Sequence, residues 1–276
     1  MPERASPLRP PRRTRPAAVA GWFYPNDPTE LRRTIEGFLR YVKPASTSTP
    51  KAVIAPHAGY VYSGPVAASA YARFIPARNV IKRVVLLGPS HCVAFRGLAA
   101  SSAEAWTTPL GTVRVDTPAV HQVTMLPPVS IRDEAHDREH SLEVHLPFLQ
   151  VVLGEFKIVP LVVGKAEDEE VFQVIETLWG GDTTRFVISS DLSHYHDYVT
   201  ARTLDAATAR AIERLRPEEI GREQACGRVP LRGLLRAAKA HGLRVETIDL
   251  RNSGDTAGPR AEVVGYGAWA FHEAAA

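Results

Sequence analysis

The sequence predicts an α/β protein, a single-domain layered α/β sandwich around a central, largely parallel sheet. Two observations lead to this class. Short apolar runs rich in β-branched residues alternate with longer helical patterns along the chain, as in a parallel sheet covered by helices. Three of the apolar runs end abruptly in polar turns that contain histidine. Neither an internal repeat nor a long linker follows residue 16, so we expect one domain over residues 17–276.

Three predicted strands stop at such turns. They are Lys51–Ala55 before Pro56-His57-Ala58-Gly59, Arg83–Leu87 before Gly88-Pro89-Ser90-His91, and Arg185–Ser190 before Asp191-Leu192-Ser193-His194. Because the carboxyl ends of parallel strands meet at one edge of a sheet, we expect these turns to lie close together. The other predicted strands are Leu98–Ser101, Ala103–Thr107, Gly111–Asp116, Phe156–Val163, Val245–Leu250 and Val263–Phe271.

Seven helices are predicted from apolar periodicity and from capping residues. Asp27 and Pro28 favour a helix start, and a loop over Pro44–Pro50 follows that first helix. We place Pro65 in the first turn of the second helix, and Pro147 indicates a bend or a late start in the fourth. The predicted helices are Thr29–Val42, Gly64–Phe74, Pro118–Met125, Glu139–Leu153, Glu167–Leu178, Thr200–Leu215 and Leu231–His241.

Charge and composition exclude several classes of protein. The formal net charge of the 276 residues is +3, but residues 1–16 hold five arginines and one glutamate, so the remaining chain is nearly neutral. We interpret residues 1–16 as a disordered basic, Pro-rich tail, and we expect no nucleic-acid partner. No apolar run is long enough to span a membrane, and no secretory signal precedes the domain. Two cysteines are too few for a disulfide framework, so we expect a soluble, cytoplasmic protein with reduced thiols.

Histidine at strand ends is the strongest chemical signal. His57 and His91 follow two apolar strands in similar turns, and imidazole suits iron, copper, zinc and nickel. A lone histidine in such a turn is more often a turn or surface residue than a metal ligand, and the repeated arrangement makes a shared site an equal alternative. Of the two thiols, Cys226 is the better candidate for a third ligand, because Cys92 is adjacent to His91 and should point the other way. A buried, inert thiol is the alternative for Cys226.

Two further segments of the sequence carry polar side chains of the kinds that bind ligands or transfer protons. His140 and Glu143 are three residues apart, so they share one face of a helix, whereas His145 does not lie on that face. The alternative to a functional role is that this polar face simply contacts solvent. Asp191 and His194 follow the third strand and are suited to orienting a ligand or to transferring a proton. We assign the remaining histidines to the surface, namely His121, His136, His196, His241 and His272.

Taken in order, the motifs of residues 16–271 resemble the Memo family, which includes the AmmeMemoRadiSam system protein B group. The motifs are Gly21-Trp22-Phe23-Tyr24-Pro25, Pro56-His57-Ala58-Gly59-Tyr60, Gly88-Pro89-Ser90-His91, Glu139-His140-Ser141-Leu142-Glu143-Val144-His145-Leu146-Pro147, Ser190-Asp191-Leu192-Ser193-His194-Tyr195, Cys226-Gly227, Asn252-Ser253-Gly254-Asp255 and Val264-Gly265-Tyr266. That family is similar in fold to the class III extradiol dioxygenases, which use non-haem Fe(II). The resemblance also implies a functional link to a radical SAM protein.

The resemblance implies a role for each candidate residue. His57, His91 and Cys226 would bind the metal, and His194 would act as the acid/base with Asp191 nearby. Substrate would contact Trp22, Tyr60, His140, Glu143 and His145. The dioxygenases use a carboxylate as the third ligand, so a thiolate here is a departure that favours Fe(II) or copper, with zinc as a further alternative.

Two functions from different classes follow. The first is an O₂-dependent redox enzyme that acts on an unidentified small molecule. The second is a non-catalytic module that binds a peptide or simply holds a metal in the same cleft. Metal-dependent hydrolysis by zinc-bound water is a third, weaker alternative.

Overall fold

The structure is a computed structural model that describes residues 13–42 and 48–273. The first twelve residues of the predicted basic tail lie outside the described residues, as do residues 44–47 of the predicted loop Pro44–Pro50. Within the described part, twelve strands form one sheet and seven α-helices surround it. No helix in those two ranges combines the length and the apolar character that crossing a membrane requires.

The strands are Thr14–Arg15 (β1), Ala52–Ala55 (β2), Arg83–Pro89 (β3), Leu98–Ala100 (β4), Ala105–Thr108 (β5), Gly111–Val115 (β6), Val129–Ile131 (β7), Lys157–Val163 (β8), Thr184–Ser189 (β9), His194–His196 (β10), Arg244–Asn252 (β11) and Val263–His272 (β12). They pair in the spatial order β1-β5-β6-β8-β3-β9-β2-β12-β10. In addition, β11 pairs with β12, and β4 pairs with both β7 and β8.

The centre of the sheet is parallel, as predicted. β6, β8, β3, β9 and β2 run in one direction, whereas β12 pairs with β2 in the antiparallel sense. β9 lies between β3 and β2, with Phe186 opposite Val85 on one side and Val187 opposite Val53 on the other. Every residue of β2 and β9 is buried, so helices cover both faces of these central strands. This arrangement confirms the predicted layered α/β class.

All seven predicted helices are present, with shifted ends. They are Pro28–Arg40 (α1), Tyr60–Tyr71 (α2), Thr117–Thr124 (α3), His145–Val152 (α4), Asp168–Leu178 (α5), Tyr198–Glu213 (α6) and Arg228–Ala240 (α7). Asp27 caps α1 by accepting a bond of 2.8 Å from the Glu30 amide. α2 begins earlier than predicted, so Pro65 lies inside it and not in its first turn. α4 has the late start that Pro147 indicated, which places this proline in the first turn, where no backbone hydrogen bond is lost.

The predicted boundary at residue 16 is wrong for the last residues of the tail. Thr14–Arg15 forms β1 and pairs with β5, and the Arg15 side chain is buried. Its guanidinium bonds the Glu143 carboxylate at 2.5 Å and the carbonyls of His136 and Glu139. Composition assigned Arg15 to a solvated tail, but a buried carboxylate requires a cation, and Arg15 supplies it.

Two of the five histidines that we assigned to the surface are buried. His136 is 1% exposed, and its Nε2–H donates to the Ala99 carbonyl at 3.1 Å. His272 ends β12 beneath the Glu246 carboxylate, 3.3 Å from its Nε2. In each ring at least one nitrogen has a hydrogen-bond partner inside the protein, as a buried histidine requires.

Candidate metal centre

The ends of β2, β3 and β9 meet at one edge of the sheet, where three side chains converge. His57 lies two residues beyond β2, and His91 lies two residues beyond β3. Cys226 lies in the turn that precedes α7. One potential ligand atom from each of these residues lies within 4.8 Å of the other two. The three residues that sequence reasoning selected therefore form one cluster.

A chain of hydrogen bonds fixes which nitrogen of His57 carries the proton. The Ser189 hydroxyl donates to the Ser141 carbonyl at 2.6 Å, so that hydroxyl can only accept from His57 Nδ1 at 2.5 Å. Nδ1 therefore holds the proton, and Nε2 presents a lone pair 3.3 Å from the Cys226 sulfur. Burial first, and then the nearby His91 and the other histidines, lower the pKa of His57 well below its usual range, so this ring is neutral.

Glu139 holds His91 in the same tautomer. Its carboxylate accepts from the His91 amide at 2.6 Å and from His91 Nδ1 at 2.9 Å. Nδ1 is therefore the protonated nitrogen, and Nε2 is left free for a ligand, with the side chain 31% exposed. Burial alone would raise the pKa of Glu139, but the bonds from His91 and from the Ser141 amide lower it to about 2.

The turn around Cys226 approaches the end of β9 closely. The Gly227 amide donates to Ser190 Oγ at 3.0 Å, and a Cβ at Gly227 would lie only 2.3 Å from the Ser189 carbonyl oxygen. The Asp191 amide points at the Cys226 sulfur from 3.3 Å. Burial, followed by the charge of Asp191, raises the pKa of the Cys226 thiol to about 12. This thiol is inert unless a cation draws off its proton.

These three residues fit a single first-row transition-metal ion. A tetrahedral ion with bonds of about 2.0–2.3 Å holds its ligand atoms about 3.3–3.7 Å apart. His57 Nε2 and the Cys226 sulfur already have this spacing, and a ligand atom of His91 lies within 4.8 Å of both residues' ligand atoms. Cys92 is outside the cluster, because its thiol points to the Arg138 carbonyl at 3.4 Å.

A second group with suitable spacing contains His91, Glu139 and His140. Glu139 is a poor ligand there because its two oxygens already accept from the amide and ring of His91 and from the amides of Cys92 and Ser141. Sequence reasoning quoted Glu139 within a motif but gave it no role, and it missed Ser189. The only sequence signal for Glu139 was its position next to His140. The only signal for Ser189 was its position at the end of a predicted strand.

His140 and His194 border the cluster. The His140 ring stacks on His91 with centroids 4.6 Å apart and meets the edge of His57 at 5.4 Å. Burial and the proximity of His91 lower the pKa of His140 to about 4. His194 Nδ1 donates to the Leu192 carbonyl at 2.8 Å, which leaves Nε2 as a proton acceptor. Burial lowers the pKa of His194, and the nearby His91 lowers it further.

Asp191 is buried beneath His57. Its Oδ1 accepts from the His57 amide at 2.8 Å, and its Oδ2 lies 3.9 Å from His57 Nε2. Burial raises the pKa of Asp191 to about 7. Since His57 is neutral, the two groups do not form an ion pair. Through its bond with the His57 amide, Asp191 fixes the backbone of the turn that carries His57. The role of Asp191 in proton transfer stays a prediction.

The five residues expected to contact substrate divide into two sets. Trp22 is 91% exposed, and His140 faces the cluster. Tyr60, Glu143 and His145 point into the protein, and this position does not suit contact with substrate. The Tyr60 hydroxyl donates to the Val144 carbonyl at 2.6 Å, the Glu143 carboxylate accepts from Arg15 and Tyr24, and His145 Nδ1 lies 2.6 Å from the Tyr71 hydroxyl.

The fold and the cluster together define an α/β protein with a His-His-Cys set of potential metal ligands at the carboxyl edge of its parallel strands. Comparison with known proteins identifies the family. The sequence profile of the Memo-like protein family matches residues 15–270, and the chain belongs to that family. The likeness of the family to the extradiol dioxygenases in fold agrees with the layered sheet described above.

Relatives of similar length occur in bacteria and archaea. A MEMO1 family protein of Aquifex aeolicus is 38% identical over 265 residues, which cover 92% of this chain and 97% of the relative. A MEMO1 family protein of Archaeoglobus fulgidus is 37% identical with the same coverage. One from Methanopyrus kandleri is 35% identical over 285 residues, covering 93% and 98% of the two chains.

Proposed function

We propose that His57, His91 and Cys226 bind one first-row transition-metal ion, with Fe(II) as the first candidate, and that the protein is an O₂-dependent redox enzyme. One observation carries this proposal. Both histidines are fixed through Nδ1, by Ser189 and by Glu139, so both leave Nε2 free for a ligand, and that of His57 lies 3.3 Å from the Cys226 sulfur. A bound Fe(II) would supply redox chemistry with O₂.

The protein groups around this centre suit proton transfer and cover one side of the cluster. His194 Nε2 has a free lone pair because Nδ1 is tied to the Leu192 carbonyl, so His194 can take a proton from a substrate hydroxyl or return it. Phe23 packs on His140, with ring centroids 4.5 Å apart, and covers that side of the cluster. In this proposal the substrate is a small molecule. The cytoplasmic location and the link to a radical SAM protein stay predictions.

A second candidate function is a non-catalytic binding module in which the ion is copper, zinc or iron. It is favoured by Trp22 and Tyr195, which are large aromatic side chains with exposures of 91% and 73%. Tyr195 follows His194, and its positive φ of 58° holds it in a backbone conformation that non-glycine residues rarely adopt. Exposed aromatic side chains beside a cleft are typical of a surface that binds a peptide.

Anaerobic titration of Fe(II) and Cu(I) into matched serine variants tests the metal proposal. Cys226→Ser should weaken metal binding by about 100-fold or more, because losing a ligand costs at least as much as losing a group that orients one. Cys92→Ser is the matched control and should bind like the unmodified protein. Equal affinities in both variants would remove the thiolate from the site.

Two measurements separate the enzyme from the binding module. Elemental analysis of anaerobically purified protein identifies the bound metal, and oxygen consumption in the presence of a reductant and candidate substrates reports turnover. Peptide binding that persists after chelation, with no oxygen consumption, would support the module and contradict the enzyme.

A further inference from the structure

A second cavity lies at the same edge of the sheet, beside the metal cluster. β8 is the neighbour of β3, and from its end the chain continues through Gly164 and Lys165. A cavity of about 580 Å³ opens between this segment and the first residues of α5 and α7. Ligands of open α/β sheets bind at this edge, outside the carboxyl ends of the strands.

Four cationic side chains line this cavity against two carboxylates. The cations are Lys165, Arg222, Arg228 and Arg232, and the carboxylates are Glu167 and Asp168. Both carboxylates are already engaged. Asp168 accepts from Arg232 at 3.3 Å and from Arg236 at 2.8 Å, and Glu167 caps the backbone of α5. The remaining positive charge therefore faces an open space.

Several donors in the wall have no acceptor. Across residues 13–42 and 48–273, no hydrogen bond or ion pair of Lys165, Arg222 or Arg228 with a side chain is found. The buried Nε of Arg232 likewise has no partner. Burial first, and then the nearby charges of Arg222 and Arg232, lower the pKa of Arg228. A bound anion would satisfy these donors and relieve the crowding of like charges.

The start of one helix reinforces this preference. α7 has 13 residues and begins at the cavity with Arg228, and no side chain caps its N-terminus. α5 also begins at the cavity, but its first turn already carries the carboxylates of Asp168, Glu169 and Glu170. Helix N-termini favour negative charge. Guanidinium groups that surround a site can bind an oxyanion with paired N–H donors, and three arginines with one lysine suit a doubly charged anion better than a single carboxylate.

The cationic cavity continues toward the metal cluster. An adjoining cavity of about 320 Å³ is lined by Ser90, next to His91, and by Cys226. The two cavities share four wall residues, namely Gly164, Lys165, Arg228 and Val229. The two cavities are therefore neighbours, and together their walls extend from the arginines to Cys226.

We propose that the cationic cavity binds the phosphate group of a small molecule that extends through the adjoining cavity toward Cys226. That this molecule is the substrate rests on the proposed function. The anion site itself depends only on the four cations and the start of α7.

Calorimetric titration of inorganic phosphate into the full chain, with its metal bound, tests the proposal. Arg222→Gln and Arg228→Gln should each weaken phosphate binding by about tenfold or more, because each removes a charge-assisted bond. Arg222 is exposed in a turn, so its variant is expected to fold normally. Arg214→Gln, at an exposed arginine outside the cavity, is the matched control and should bind as the unmodified protein does.

The outcomes separate the anion site from the metal site. Unchanged phosphate affinity in both arginine variants would overturn the proposal, as would binding that is lost in Cys226→Ser but kept in both arginine variants. Tighter binding of succinate than of phosphate would overturn the assignment to phosphate. Metal content is measured for each variant, so a Cys226→Ser protein that keeps both its metal and its phosphate binding would contradict only the proposed function.

Discussion

Replacing Arg15 should destabilise the whole protein, although this residue lies only three positions into the described chain. The Arg15 and Glu143 side chains are 4% and 0% exposed. Besides Arg15, Glu143 accepts bonds from the amides of Ala18 and Val19 and from the Tyr24 hydroxyl. Arg15→Ala would keep those three neutral donors but leave a buried carboxylate without a cation.

The expected loss follows from this burial. Breaking a buried ion pair by removing one partner costs about 3–5 kcal/mol. Arg15 also donates to two backbone carbonyls and stacks on Trp106 at 4.2 Å, so its loss leaves further groups unpaired. At about 2–4 °C per kcal/mol for a chain of this size, the melting temperature should fall by roughly 10 °C.

Chemical and thermal unfolding of Arg15→Ala and Arg13→Ala provide the assay. Arg13 is the matched control, because its ion pair with Asp133 is also short, at 2.8 Å, but its side chain is 60% exposed. An exposed pair contributes about 0–1 kcal/mol. Deleting residues 1–12 should be neutral, whereas deleting residues 1–16 should match Arg15→Ala. Equal losses in the two alanine variants would refute the reasoning from burial.

Three further predictions concern histidines and their anchors. His194→Ala should keep the metal content while lowering any oxygen-dependent turnover by about 100-fold or more, and loss of the metal would show that His194 is a ligand. Ser189→Ala should weaken metal binding by about 10–100-fold, measured by anaerobic titration, because His57 Nδ1 loses its acceptor. Burial first lowers the pKa of His136 to about 4. Folding therefore favours its neutral form, and the stability present above pH 6.5 is lost as the pH falls toward 4. His136→Gln should remove about 3 kcal/mol of that dependence in urea titrations at several pH values, and an unchanged dependence would contradict the buried, neutral ring.

The strand ends were predictable because apolar runs and turns are local signals. The positions of His57 and His91 follow from where β2 and β3 stop, and the parallel sheet then places them side by side. Cys226 was predictable only by elimination and by family resemblance, because no local pattern shows that a turn before α7 approaches β9. Such an approach depends on packing between distant segments.

The roles of Glu143 and Arg15 show where sequence reasoning fails. Glu143 lies in a motif rich in histidine, so it was expected at the substrate, and Arg15 lies among solvated arginines. The structure pairs them inside the protein. Burial of a charge depends on a partner 128 residues away, and a local composition window contains no information about such a partner.

The place of β9 in the sheet sets the order of events during synthesis. β2 and β3 are consecutive core strands in the chain, yet β9, which starts at Thr184, separates them in the sheet. The two strands cannot reach their final spacing before β9 is translated and inserted between them. A nascent chain with both His57 and His91 outside the ribosome therefore has no assembled ligand set. The His57-His91-Cys226 cluster forms only after Cys226 has emerged, so an ion held by all three residues, as proposed, would bind late in synthesis.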